Sequence, residues 1–440
     1  MSPKRLIAGL VLLVMVPAIW LAYSSLESSS PGSPGSSGTA GSSKDASDAA
    51  LAVSRHVLIK EVLTERARAV RDRNRTAFLA TVDTRSGAFR RQQSRVFRRL
   101  TSLPLGNYGL TLASGKKDLA KPRHERRYQA ADDVFIPHVE ERYRIRGIDD
   151  ADFLGDAYFT FVLRNDSWLI AADDDLRGES TTDRNPWDFG RLTTTRSKHF
   201  LMVQHPCREP GCIEVGESFL DLAEAALTRV EEHWLEPWNK RVVVFVTSTQ
   251  PELSTILDVE FDVGRFVAFS YAPNRTRGYS PARIVVSRVG LSERSSESLL
   301  IVLAHELTHV ATRRPSGPDI PLWVEEGLAE WTSRSSNDGA DLYFSDQVAT
   351  GAVRPHLPRD RDFRSGGEDE LFVNYQSSRS AVRYFIERYG YERFVSFYKA
   401  LGDSHERPGS TAEHVDRTMR RFIGLDARQF EAQWADTIGG

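Results

Sequence analysis

The stretch His305-Glu306-Leu307-Thr308-His309 follows an apolar run, Leu299-Leu300-Ile301-Val302-Leu303-Ala304, and its reading decides how the rest of the chain is understood. Ser295 or Ser296 can cap a helix here and Pro315 ends it, so the pattern predicts a helix over about Ser296 to Arg313. On a helix, residues four apart share a face. His305 and His309 therefore present two imidazoles to one ion. Glu306 sits one residue round, within reach of a water on that ion but poorly placed as a ligand. So short a pattern also occurs on the wet face of ordinary helices. The apolar setting argues against that alternative, because His and Glu are unwelcome on a buried helix unless paired or coordinating a metal.

After the breaker-rich turn Arg314-Pro315-Ser316-Gly317-Pro318 comes Pro321-Leu322-Trp323-Val324-Glu325-Glu326-Gly327-Leu328-Ala329-Glu330-Trp331. A catalytic zinc takes three protein ligands and keeps one position open. This stretch supplies a third ligand: Glu326 and Glu330 are four apart and face the same way, so one can bind zinc while the other holds the free ring nitrogen of a ligating His. Glu325 competes with Glu326 if the helix starts in a different phase.

HELTH followed by PLWVEEGLAEW resembles the gluzincin clan of zinc peptidases. Within it, the chain is similar to the peptidase MA-like family, whose pattern is HExxH, a short turn, then P-x-W-x-x-E-G-x-A-[ED]. The resemblance covers about residues 198–440 and includes the C-terminal Gln429-Phe430-Glu431-Ala432-Gln433-Trp434. It implies Zn2+ on His305, His309 and Glu326, with Glu306 as general base and later proton donor. Glu330 then stands behind a ligand. It also implies a gluzincin-like α+β domain with a mixed sheet and a mainly helical C-terminal part. Related enzymes stabilise the oxyanion with a Tyr or His from that later region. Tyr375 is the candidate, His356 the runner-up, and Tyr375 reads equally as a buried helix aromatic. In such enzymes an edge strand before the metal helix holds an extended peptide, and Arg283-Ile284-Val285-Val286-Ser287 is the candidate strand.

At 440 residues the chain has room for two domains plus extras. Its 58 Lys and Arg against 60 Asp and Glu leave a net charge of −2, which gives no general reason to expect nucleic-acid binding. Lys4 and Arg5 precede an apolar run from Leu6 to about Tyr23. That order predicts a signal anchor over residues 1–23, with everything after it outside the cell membrane. Cleavage near Trp20-Leu21-Ala22 would make the protein secreted instead. Residues 24–48 are rich in Ser, Gly and Pro and read as a tether spanning roughly 25–30 Å. Cys207 and Cys212 are the only cysteines. Outside a membrane they are expected to form a disulfide. A metal site with His205 is the alternative, and it lacks ligands.

Residues 49–195 read as an α+β domain, with helices over Val57 to Val82 and Ser86 to Leu100. Strands are expected over Tyr108 to Ala113, Arg126 to Pro137, Glu140 to Arg146, Ala157 to Arg164 and Trp168 to Ala172. The arginines of the first helix read as a solvated face. The order of elements resembles the NTF2-like cone. Asp173-Asp174-Asp175 to Arg191 is expected to bridge to residues 196–440. Strands are also expected at Arg241 to Val246 and Phe266 to Tyr271. Helices are expected at Ser218 to Trp234, Val373 to Tyr389, Tyr391 to Ala400, Thr411 to Phe422 and Ala427 to Thr437.

These readings imply a membrane-tethered, extracytoplasmic zinc metallopeptidase acting on a peptide or protein. Two rivals share the scaffold: a non-catalytic cell-envelope binding module, and a zinc hydrolase of a non-peptide amide or ester. Substrate, endo- or exo-cleavage and oligomeric state are not legible in the sequence.

Overall fold

The computed structural model describes residues 42–439, except 115–116, 208–211, 213, 260–266, 273–278, 292–293, 318–319, 335–338, 366 and 404–409. The expected membrane helix and residues 24–41 of the tether lie outside the described residues. Among the described residues, no helix is long and apolar enough to cross a membrane. The fold is α+β, in two compact units that meet in sequence between Leu192 and Thr193. The boundary lies just before the expected one, because Thr193–Arg196 already pairs into the second unit's sheet.

The first unit begins with α1 (Ser42–Arg71), α2 (Arg75–Ala80) and α3 (Gly87–Leu100). Then come β1 (Leu105–Leu112), α4 (Pro122–Arg127), β2 (Asp133–Phe135), β3 (His138–Ile145), β4 (Phe153–Tyr158), β5 (Thr160–Arg164), β6 (Ser167–Ala172) and α5 (Pro186–Phe189). The strands form two antiparallel sheets, β1-β3-β4 and β2-β5-β6. α3 buries Gln93, Val96, Phe97 and Leu100 on one face and leaves Arg91, Arg95 and Arg98 in solvent.

Several expectations are corrected here. Residues 42–48, read as tether, belong to α1. The single helix expected over Val57 to Val82 is broken: Arg73 takes φ 54°, and the Asn74 side chain accepts from the Ala77 N–H at 3.0 Å, which starts α2. The strand expected over Arg126 to Pro137 shrinks to β2, because Pro122 at the first helical turn opens α4. Ala157 to Arg164 splits between the two sheets around Phe159. Asn165 and Asp166, at φ 48° and 59°, make the left-handed hairpin turn between β5 and β6 that their side chains favour. The acidic segment after Ala172 is folded onto this unit. Asp173 pairs with Arg184 at 3.0 Å, and Asp175 accepts from the hydroxyls of Tyr128 at 2.8 Å and Thr160 at 2.7 Å. Composition showed its acidity but not these distant partners.

The second unit holds β7 (Thr193–Arg196), β8 (Phe200–Gln204), α6 (Glu217–His233), β9 (Val242–Thr247), α7 (Gln250–Leu257), β10 (Ala268–Tyr271) and β11 (Arg283–Ser287). Helices follow: α8 (Arg288–Leu291), α9 (Ser296–Thr312), α10 (Leu322–Ser333), α11 (Gly339–Ala349), α12 (Asp362–Ser365), α13 (Glu368–Tyr389), α14 (Tyr391–Gly402), α15 (Thr411–Ile423) and α16 (Ala427–Gly439). The five-stranded sheet runs β10-β11-β9-β8-β7. Its three inner strands are parallel and both outer strands antiparallel. Every residue of β9 and β11 is buried, and apart from Thr247, Arg283 and Ser287 at their ends both strands are apolar. Arg283–Ser287 is therefore not an edge strand. β10 occupies that edge.

Two packing details position the later helices. α10 crosses α13 at Gly327, where a Cβ would lie 2.4 Å from the Ser378 carbonyl oxygen. Only glycine fits there, which gives a physical reason for the residue after Glu326. α16 docks through Phe430 and Trp434, both fully buried, and the Trp434 indole donates to Ser380 Oγ at 3.1 Å.

Candidate metal centre

α9 starts where the sequence predicts. Ser295 Oγ accepts from the Ser298 N–H at 3.2 Å, satisfying one free donor of the first turn. The helix then runs through the unit's core, so that His305, Glu306, Thr308 and His309 are all buried. α10 brings Glu326 and Glu330 to the same place, both 1 % exposed.

His305 Nε2 lies 3.1 Å from Glu326 Oε2 and 3.2 Å from His309 Nε2, and His309 Nε2 lies 3.6 Å from Glu326 Oε2. Ligand atoms about 2.05 Å from a tetrahedral zinc stand about 3.3 Å from one another. The three side chains thus form one face of a zinc-sized tetrahedron. They form the only such group of His, Cys, Asp or Glu among the described residues. Glu325 is buried too but is not in the group.

Behind the group, His305 Nδ1 lies 3.0 Å from Glu330 Oε1, and Arg334 Nε donates to Glu330 Oε2 at 2.7 Å. This chain fixes the ring so that Nε2 faces Glu326. Burial disfavours the Glu330 charge, yet Arg334 and His305 hold its carboxyl down at about 2. Burial alone would lower the His305 pKa, but Glu326 and Glu330 draw it up to about 10. With His305 and His309 neutral, a divalent metal on the Nε2 side would supply the positive charge that the buried Glu326 carboxylate requires.

Glu306 is fully buried, and burial pushes its carboxyl up to about 8. Its Oε2 accepts the backbone N–H of Ser270 on β10, so the edge strand and this carboxylate are in direct contact. Tyr375 on α13 is 1 % exposed, with its ring 6.2 Å from that of His305. Its phenol is raised by burial and then by Glu326, Glu330 and Glu306, and its hydroxyl has no hydrogen-bond partner. Tyr375 therefore faces the acidic group with an unused donor. His356 does not join it: it lines a surface concavity with Arg359, Asp362 and Glu370, and its Nδ1 lies 3.3 Å from the Arg354 carbonyl oxygen.

Cys207 and Cys212 form a disulfide with Cα atoms 5.6 Å apart. The His205 ring lies 2.7 Å from Glu252 Oε1. The alternative metal site is therefore not formed. Sequence reading missed two neighbours of the centre. Arg334 carried a signal, being four residues after Glu330 at the C-cap of the same helix. The Ser270 amide carried none, because it arrives through sheet pairing.

No family model and no curated protein matches the chain. Solved structures of an M1 zinc metallopeptidase from Deinococcus radiodurans are similar at 16 % identity, over 56 % of this chain and 51 % of theirs, with a TM-score of 0.30. An alanine mutant of that enzyme gives 0.31, and the mutant with a bound Tyr-Ser-Ala substrate gives 0.30, both at 16 % identity. This chain spans about half the length of these structures.

Proposed function

We propose that the chain is a zinc-dependent peptidase of the gluzincin type, similar to the peptidase MA-like family. The carrying observation is the buried convergence of His305, His309 and Glu326, with the Glu306 carboxyl beside it. His305, His309 and Glu326 would hold the metal. When bound, zinc supplies Lewis acidity and lowers the pKa of a water to the neutral range. Glu306, buried beside the group, takes the proton of the attacking water and delivers it to the leaving amine. Tyr375 offers its unpaired hydroxyl to the developing oxyanion. Glu330 and Arg334 fix the His305 ring. The outer edge of β10, whose Ser270 amide touches Glu306, is where an extended peptide can add as a further strand.

The same reading places the enzyme outside the cell membrane, tethered by residues 1–23. It rests on the Lys-Arg start, the apolar run after it and the Cys207–Cys212 disulfide. The first unit, helices followed by antiparallel strands, is read as an NTF2-like cone.

The test is a peptide-library digest with the purified full chain, with and without chelator, beside metal analysis. Glu306→Gln is expected to keep zinc and lose hydrolysis by about 10³-fold or more. His309→Ala is expected to lose both. Undiminished cleavage by Glu306→Gln, or cleavage indifferent to chelator, defeats the mechanism.

A further inference from the structure

The first unit carries a concavity of about 490 Å³ lined by Arg95, Arg98, Arg99, Ser102, Arg191 and Leu192. Four guanidinium groups line it and no carboxylate does. Most other arginines of this unit's surface are matched. Arg55 meets Asp118 and Asp133, Arg127 meets Asp175, Arg144 meets Asp152, and Arg164 meets Asp83. Arg95 and Arg98 are exposed and make no hydrogen bond or ion pair among the described residues.

The wall is built, not incidental. Arg99 donates to the carbonyl oxygens of Trp187 at 3.1 Å and Asp188 at 2.9 Å, which pins its guanidinium at the rim. Arg98 and Arg99 sit in the last turn of α3, where the helix favours cations. The opposite face of α3 is locked into the core through Val96, Phe97 and Leu100. The arginines are therefore held on a rigid helix, and their crowding is not relieved by movement of the backbone. Burial lowers the Arg99 pKa, and the nearby charge of Arg95 lowers it further. The nearest acid, Asp188, is itself pushed up to about 7 by burial and so compensates little.

We propose that this concavity binds a phosphate group. Planar guanidiniums pair with phosphate oxygens two at a time, and several held on one helix give a multidentate grip that a single surface Lys does not. Such a group comes either from a free phosphate or from a phospholipid headgroup, and the chemistry of the wall is the same for both. The site is independent of the peptidase reading, since all of its residues belong to the first unit.

The experiment titrates the full chain by calorimetry with pyrophosphate, and separately with dihexanoyl phosphatidylglycerol kept monomeric. Saturable binding of either is expected, and which one binds identifies the source. Arg95→Gln/Arg98→Gln is expected to weaken it at least about tenfold, the size of one lost charge-assisted contact. Both positions are exposed, so circular dichroism and the unfolding midpoint should stay unchanged. Arg68→Ala/Arg126→Ala, which removes equal charge elsewhere on the unit, is expected to leave binding intact. Absence of saturable binding for both ligands overturns the proposal. So does equal weakening in the two double variants, which would mark a general charge effect.

Discussion

Each unit buries a set of ionisable side chains, and the two sets are neutralised differently. In the first unit, Arg66 is 3 % exposed and lies over the Phe78 ring at 3.8 Å. It donates to Thr81 Oγ1 at 3.0 Å and to Gln93, whose amide reaches Asp173 at 3.4 Å; Arg184 closes on Asp173 at 3.0 Å. Tyr108 donates to Glu141 at 2.6 Å beside them. The cations come from the chain itself, and the network closes. In the second unit, three ligand atoms converge without an arginine between them, and the Tyr375 hydroxyl is left over. A closed network holds a fold together. An open one, equally buried, leaves places for an ion and for a reacting atom.

The largest effect expected from breaking this contrast is on the closed side. Arg66→Met removes the cation and leaves Glu141 and Asp173 under-compensated inside the unit. It should cost about 3–5 kcal/mol in urea unfolding of the first unit, with hydrolysis at low temperature unchanged. A cost under about 1 kcal/mol would mean that the network contributes no more than a surface pair. Next is Tyr375→Phe, on the open side. Its kcat is expected to fall about 10²-fold with KM little changed. Stability should hold or rise, because the lost hydroxyl had no partner. A structural tyrosine would give the reverse pattern.

The two sides also differed in how readable they were. The open site was legible because its ligands lie on two helices at fixed four-residue spacing, with Gly327 marking the close crossing. The closed network was not, because Arg66, Gln93, Tyr108, Glu141 and Asp173 come from separate elements that only tertiary packing unites. The same limit explains the edge strand. Ile284-Val285-Val286 reads as a strand, but nothing local says that β10 will cover it. The run Arg126 to Pro137 failed for a different reason: its β-like tail hid the helix that Pro122 starts.

A smaller effect sharpens the role of the arm behind the metal group. Glu330→Gln keeps an oxygen near His305 Nδ1 but removes the charge. Zinc affinity, read by competition with a chromophoric chelator, should drop about 10–100-fold. An unchanged affinity would show that Glu330 serves only packing with Arg334.

The smallest expected effect returns to the first unit, at a carboxyl its network does not fully neutralise. Asp188 accepts the Asn185 N–H at 2.9 Å, but burial raises its pKa from 3.8 to about 7. Between those values the folded state holds a proton that the unfolded chain has lost. Stability from this group is therefore present in acid and declines as pH rises through that window. Asp188→Asn mimics the protonated form and retains an acceptor for Asn185. Its unfolding midpoint should match the parent near pH 4 and exceed it near pH 8, by about 1 kcal/mol after allowance for solvent near this half-buried residue. A gain at both pH values would trace to packing, and a loss at pH 8 would show that the charge is matched by Arg184 and Arg99 after all.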